Sequence, residues 1–259
     1  MSRGFESTMI ARLQTRLKKA LGKYTIVQKL QLMRSFNKVI EARIVWEFLG
    51  LKRGEVVCDV ACGSGLHSIE MARRGCQVYG VDISEASIEM AKSLAKGCNC
   101  HFQVGDAENL PFESGMFDKV VSVCALEHFD DDEKALAEMS RVLKDDGILV
   151  LTVDSFTYEG IKRSLQRKHK NDHHVVNYYS ANSIKQKLER HGFIVEKSKY
   201  FINSAVSAFF FNLGIRLRFQ FLYGLTFPIA YPLSIVSDQF WSRQNEGYLL
   251  ALRGRRKPD

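Results

Sequence analysis

The chain has 259 residues, 46% hydrophobic and 25% charged, enough to bury a substantial core around one main domain. Its six cysteines (Cys58, Cys62, Cys76, Cys98, Cys100, Cys124) sit in or beside apolar runs as small hydrophobes, with no disulfide framework and no secretory signal, which points to a reduced, intracellular protein. The net charge of +8 is uneven: residues 1–50 carry +7, residues 51–200 carry −3 and residues 201–259 carry +4, so no basic stripe for nucleic acid crosses the central domain, and the basic flanks suit an anionic membrane surface.

Residues 7–22, "STMIARLQTRLKKALG", place Ile10, Leu13, Leu17 and Leu21 on one helical face, with Arg12, Arg16, Lys18 and Lys19 on the rest. Ser7 is the expected N-cap and Gly22 the stop. This basic amphipathic helix reads either as an anchor lying in a membrane surface or as a helix on the domain's edge; a transit peptide is a third reading. A second helix, about 27–49, leads into the core.

From Glu55 onward strands and helices alternate. Strands are predicted at 56–60, 77–81, 100–104, 119–124 and 148–153, and helices at 65–74, 85–95 and 133–143. Such alternation means βαβ units, right-handed crossovers and a parallel sheet, with a ligand outside the strands' carboxyl ends. Ser180 starts another helix that ends near Gly192, and 193–199 and 248–253 read as two closing strands. Residues 201–241 hold eight of the seventeen phenylalanines, and the stretch from Phe219 to Ser237 has no charge. Gly224, Pro228 and Pro232 interrupt it, so it reads as a helical insertion that covers a greasy pocket or dips into a bilayer, with a lid or dimer surface as the alternative. The expected organisation is a basic helical extension at 1–50, a core at 51–200, the Phe-rich insertion at 201–241, and the last strand with a basic tail at 242–259.

The decisive stretch is "VVCDVACGSGLHSIEMARRGCQVYGVDIS". A dinucleotide fingerprint needs a third glycine where Ser68 stands, and a phosphate-binding loop needs a Gly-Lys-Ser/Thr ending that is absent. What remains is a turn that lets backbone approach a ligand, with Asp59 beside it favouring a cationic or zwitterionic one. Cys98-Asn99-Cys100-His101 lacks the spacing and the second ligand pair of a zinc site, so no metal is expected.

Here the sequence resembles the class I S-adenosylmethionine-dependent methyltransferases, in the ubiquinone/menaquinone methyltransferase-like (type 11) branch. The resemblance rests on "VCDVACGSG", "VYGVDIS", "VGDAENLPFESGMFDKVVSVCALEHF" and "EMSRVLKDDGILVLTV" in order, covering about 51–155, with Ala61 at the first glycine of the first motif. It implies a doubly wound α/β fold with a mostly parallel, seven-stranded Rossmann-like sheet, N-terminal helices and the hydrophobic insertion before the last strand. It also implies that Asp59 and the backbone at Ala61, Gly63 and Gly65 hold the methionine part of S-adenosyl-L-methionine. Asp82 would accept both ribose hydroxyls, Ile83 would pack on the adenine, and Asp106 and Ala107 would meet its edge. Cys124 and Leu126 would line the methyl side.

His128, paired with Glu127, is the candidate base, since imidazole titrates near neutrality; orientation of the loop is the alternative. Related quinone O-methyltransferases bind a divalent ion with a Glu where this chain has Cys124, which speaks against metal-assisted transfer here. His173, His174, Tyr178 and Tyr179 are expected to face the acceptor. Together with the basic N-terminus and the Phe-rich insertion, this predicts methyl transfer to a lipophilic small molecule (a quinone, isoprenoid or lipid) by a cytoplasmic protein at the inner face of a membrane. RNA or protein methylation and non-methylating use of the cofactor are the alternatives.

Overall fold

The computed structural model describes residues 36–159, 161–216 and 226–258. The predicted helix at 7–22 and the start of the helix at 27–49 lie outside the described residues. The elements, in order, are α1 (Phe36–Leu49), β1 (Val56–Val60), α2 (Leu66–Arg73), β2 (Gln77–Asp82), α3 (Glu85–Leu94), β3 (Cys100–Val104), β4 (Phe117–Val123), a 3-10 turn (Leu126–His128) and α4 (Asp132–Val142). There follow β5 (Leu143–Asp154), α5 (Arg163–His173), α6 (Ala181–Arg190), β6 (Phe193–Phe201), α7 (Ala205–Arg216), α8 (Phe227–Phe240) and β7 (Leu249–Arg256).

The seven strands form one sheet in the order β3-β2-β1-β4-β5-β7-β6. All pairings are parallel except those of β7, which runs antiparallel between β5 and β6. The strand order reverses between β1 and β4, so a crevice opens at their carboxyl ends. Both faces are covered, which is why the central strands read as unbroken apolar runs. On one face α1 lays Ile40, Ile44, Val45 and Phe48 against Val150, Leu249 and Ala251. On the other, Leu136 and Met139 of α4 and Ile184 and Leu188 of α6 pack against Val120, Leu149 and Leu151.

Polar groups fix how these layers meet. The buried Lys119 donates to the carbonyls of Leu49 (2.6 Å) and Gly50 (2.9 Å), a cation at the C-terminus of α1, and pairs with Glu55 at 3.1 Å. Asp118 accepts the Val56 amide at 2.8 Å and so registers β4 against the start of β1. Ser84, Asp131 and Ser180 cap α3, α4 and α6 through their side-chain oxygens.

Among the described residues the insertion holds two helices, α7 and α8, packed on each other and, through α8, on α1. Pro232 does not break the helix as predicted, while Gly224 lies outside the described residues. Pro228 sits in the first turn of α8, where no amide partner is required, and the helix continues through Pro232. No helix among the described residues is long and apolar enough to cross a membrane.

Candidate active site

Three strand ends define the site. Just past β1, β4 and β5, Ala61 (φ 57°), Cys124 (φ 46°) and Phe156 (φ 51°) adopt left-handed backbone that costs a side-chain-bearing residue on the order of 1–3 kcal/mol. Strain gathered at the mouth of one crevice marks a functional place.

On the β1–β2 side the glycine turn is drawn onto Asp82. Its Oδ2 accepts the Gly63 amide at 2.8 Å and its Oδ1 accepts the Ser84 amide at 2.9 Å. Each oxygen keeps lone pairs for a ligand. Gly63 (φ 52°) has open space where a Cβ would be, so the backbone is approachable there. Gly65 (φ 74°) is required for a different reason, since a Cβ would stand 2.8 Å from the Phe102 ring. Ile83 is 76% exposed beside Asp82, an apolar surface left uncovered. One residue past the end of the neighbouring strand β3 and Gly105, Asp106 is exposed and accepts the Glu108 amide at 2.9 Å, with Ala107 buried next to it.

Asp59 takes another place than the one the resemblance implies. It is only 2% exposed and accepts the Ser68 hydroxyl at 2.5 Å, under the first turn of α2, so it props the turn from below. Burial pushes its carboxyl up to about 7.

On the β4–β5 side a buried polar knot forms. Glu41 of α1 accepts from the Cys124 thiol (2.8 Å) and the Thr152 hydroxyl (2.7 Å) on one oxygen and from Lys38 (2.8 Å) on the other. Burial opposes its charge, but Lys38 and these donors outweigh it and hold the carboxyl below its ordinary range. Asp154 closes β5. Its amide donates to Glu127 Oε1 at 3.3 Å, and its carboxylate lies 3.7 Å from Nδ1 of the buried His169. Burial, reinforced by the Glu41 charge and opposed by Lys38, raises Asp154 to about 7. Glu127 is fully buried with Oε2 unpartnered, and burial with the neighbouring Asp154 charge pushes it well above the usual carboxylate range. Burial takes His169 down to about 4, keeping the imidazole neutral. Cys124 Sγ and the carboxylates of Glu127 and Asp154 lie within 4.8 Å of one another, close enough to share a metal ion once the thiol and the acid have lost their protons.

The structure therefore divides the predicted pair. Glu127 points into the knot, while His128 is exposed, its Nδ1 3.4 Å from the His174 carbonyl. Tyr178 does reach the knot, 3.2 Å from His169 and with its ring 4.8 Å from Phe156. Tyr179 does not. It is buried on the α4 side and donates to Asp132 at 2.5 Å, so it ties α4 to the segment before α6. His174 is exposed in left-handed backbone at the end of α5. Leu126 is buried in the turn.

Sequence reasoning missed Lys38, Glu41, Thr152, Asp154 and His169. Two signals were there. Glu41 shares the helical face of Val45 and Phe48, an acid on an apolar stripe. Asp154 ends an apolar strand run as Asp82 does, the position where ligands bind in such sheets.

Comparison with known proteins settles what this crevice belongs to. Residues 58–151 match the methyltransferase domain family. Residues 58–151 are a methyltransferase domain. The methyltransferase domain is similar to demethylmenaquinone methyltransferase of Staphylococcus haemolyticus, 38% identical over 110 residues, 41% of this chain and 46% of the relative. It is likewise similar to the uncharacterized methyltransferase YcgJ of Bacillus subtilis, 39% identical over 106 residues, 40% of this chain and 42% of the relative. The chain thus spans less than half the length of these relatives. The fold extends further than the sequence match. A geranyl diphosphate methyltransferase in complex with SAM superimposes with a TM-score of 0.63 at 18% identity over 85% of each chain.

The cofactor of such domains is S-adenosylmethionine, and the residues present fit it. An approachable glycine backbone, a carboxylate with unused lone pairs and an uncovered isoleucine stand side by side, matching an amino acid, a ribose and a flat base.

Proposed function

We propose that the protein is an S-adenosylmethionine-dependent methyltransferase whose acceptor is a lipophilic small molecule, a quinone, isoprenoid or lipid, met at the inner face of a membrane. One observation carries the acceptor class. Beside the one small polar knot aromatic rings gather in the buried core, with Tyr248 5.2 Å from Phe156 and 4.8 Å from Phe211 of the insertion, so the surroundings of the knot are apolar. Apolar surroundings with one proton-accepting corner suit a greasy molecule with a single hydroxyl or acidic carbon. Similarity to a demethylmenaquinone methyltransferase supports the same class.

When bound, the cofactor supplies an electrophilic methyl group on sulfonium. Asp82 would hold the ribose hydroxyls, Gly63 and its neighbours the methionine end, Ile83 the adenine face, and Asp106 with the Ala107 backbone the adenine edge. Cys124 and Leu126 would flank the methyl side. The packed aromatic rings keep water from the knot, whose polar groups would orient the acceptor toward the methyl donor. Asp154, rather than the exposed His128, takes the acceptor's proton. Burial holds its carboxyl at about 7, so near neutral pH it is both available as a base and strong enough to act.

The test is incubation of the purified protein with methyl-labelled S-adenosylmethionine and a detergent-dispersed whole-cell extract, followed by solvent partition. Label in the organic phase, lost in Asp154→Asn, is the expected result. Label confined to the aqueous or macromolecular fraction overturns the acceptor class.

A further inference from the structure

Helix α8 wears its amphipathicity inside out. Its inward face is narrow, with Ala230, Ser234 and Ser237 buried and Tyr231 and Ile235 partly buried against the core. Its outward face is large and apolar, with Ile229, Leu233, Val236 and Phe240 at the i, i+4, i+7, i+11 spacing of one stripe, followed by Trp241; these five are 46 to 69% exposed. Asp238, the only charged side chain on the helix, turns inward and accepts from the Ile202 and Ser204 amides and the Ser207 hydroxyl. A helix built for water places its charge outside and its bulk inside. On α7, which packs against α8, Phe209 is exposed as well.

Helix α7 also packs against α5. There Arg163 and Arg167, at i, i+4 spacing, are exposed with Lys162 beside them, and Arg216 is exposed in the last turn of α7. An apolar stripe and a cationic row thus adjoin the same helix. A second copy docked on this face by a two-fold axis would bring like charges together. A sheet of anionic headgroups over acyl chains complements both parts. The 14 residues of α8 measure about 21 Å, short of the roughly 30 Å needed to span a bilayer, so the helix would lie in the surface with Trp241 at the headgroup level.

We propose that the outer face of α8, with Phe209 of α7 and the cations of α5, is a docking surface for an anionic lipid bilayer. Phe211 of α7 joins the aromatic rings beside the polar knot, so two thin helices separate the bilayer from the place where the acceptor reacts. That purpose rests on the function proposed above, whereas the docking itself does not.

The test is co-sedimentation of the full chain with phosphatidylcholine vesicles with and without phosphatidylglycerol, in the absence of cofactor and acceptor. Binding is expected to require phosphatidylglycerol and to weaken with salt. Leu233→Glu/Phe240→Glu, at exposed positions, is expected to lower partitioning by about tenfold or more. Arg163→Glu/Arg167→Glu is expected to lower it by at least about fivefold per residue. No sedimentation of the unaltered chain overturns the proposal. So does sedimentation that neither variant weakens, which would place binding elsewhere on the chain. A dimer in analytical ultracentrifugation that Leu233→Glu/Phe240→Glu converts to monomer, without vesicle binding, would assign the face to a second copy. Failure here leaves the organic-phase assay untouched, and label missing from the organic phase leaves vesicle docking untouched.

Discussion

At the residue scale the glycine turn with the acid that holds it was legible in the sequence and the buried polar knot was not, for a physical reason. Asp82 lies 19 residues from Gly63, the amide it holds, inside one strand–turn–helix–strand unit whose spacing a sequence displays. Glu41 meets Cys124 across 83 residues and Thr152 across 111, contacts that only the folded sheet creates. The carboxylate of Asp82 organises the turn, and its remaining lone pairs stay open to a ligand. Asp82→Asn, which keeps one carbonyl oxygen, is expected to weaken S-adenosylmethionine by about 10–100-fold, and Asp82→Ala to remove measurable binding in calorimetry. Unchanged affinity in either would remove Asp82 from the site. For Asp154 the readout is the pH profile. A base acts when deprotonated, so turnover should rise with pH through about 7. Asp154→Asn should lose that limb along with most of the rate, whereas His128→Gln should keep it. A limb that vanishes with His128 would return the base role to the exposed imidazole.

At the element scale the strands were readable because they are buried on both faces, leaving apolar runs between turn residues. Helix α5 escaped notice because its sequence, RSLQRKHKNDH, buries only Leu165 and His169. Two inward residues in eleven give no usable period. Helix α8 starts at Pro228, where a proline fits, but runs on through Pro232, because a proline's effect depends on its surroundings as well as its type. Its one acid matters more than its prolines. Asp238 satisfies the Ile202 and Ser204 amides and the Ser207 hydroxyl, and so fixes the entry into α7 from a helix more than thirty residues later. Asp238→Ala would strip all three donors of their acceptor at once. It is expected to destabilise the protein by about 2–3 kcal/mol, read from denaturant unfolding. A loss within about 0.5 kcal/mol would mean that solvent replaces these bonds and that α7 and α8 are held by packing alone.

At the scale of the whole molecule, buried acids and buried histidines set opposite pH dependences against each other. Asp59 and Asp154 sit at about 7 when folded, against an ordinary 3.8, because burial disfavours their charge. Between pH 4 and 7 the folded state therefore holds protons that the unfolded chain has released, and these two groups make stability fall as pH rises. His67 and His169 sit at about 4 when folded, against an ordinary 6.5, again through burial. Between pH 4 and 6.5 the unfolded chain holds protons that the folded state lacks, so these two make stability rise with pH. Glu127, also pushed up by burial, joins the falling side and His173, pushed down by burial, the rising side, so three stand against three and the stability of the cofactor-free protein should change little from about pH 5 to 6.5. The balance can be unmasked one group at a time. Asp59→Asn keeps an acceptor for the Ser68 hydroxyl and removes one falling contribution, so its stability should climb with pH by up to about 1.4 kcal/mol per unit in that window. His67→Gln removes a rising contribution and should tilt the curve the other way. Urea unfolding at half-unit steps of pH reads both. An Asp59→Asn curve parallel to that of the unaltered protein would mean that Asp59 is ionised under the turn at neutral pH.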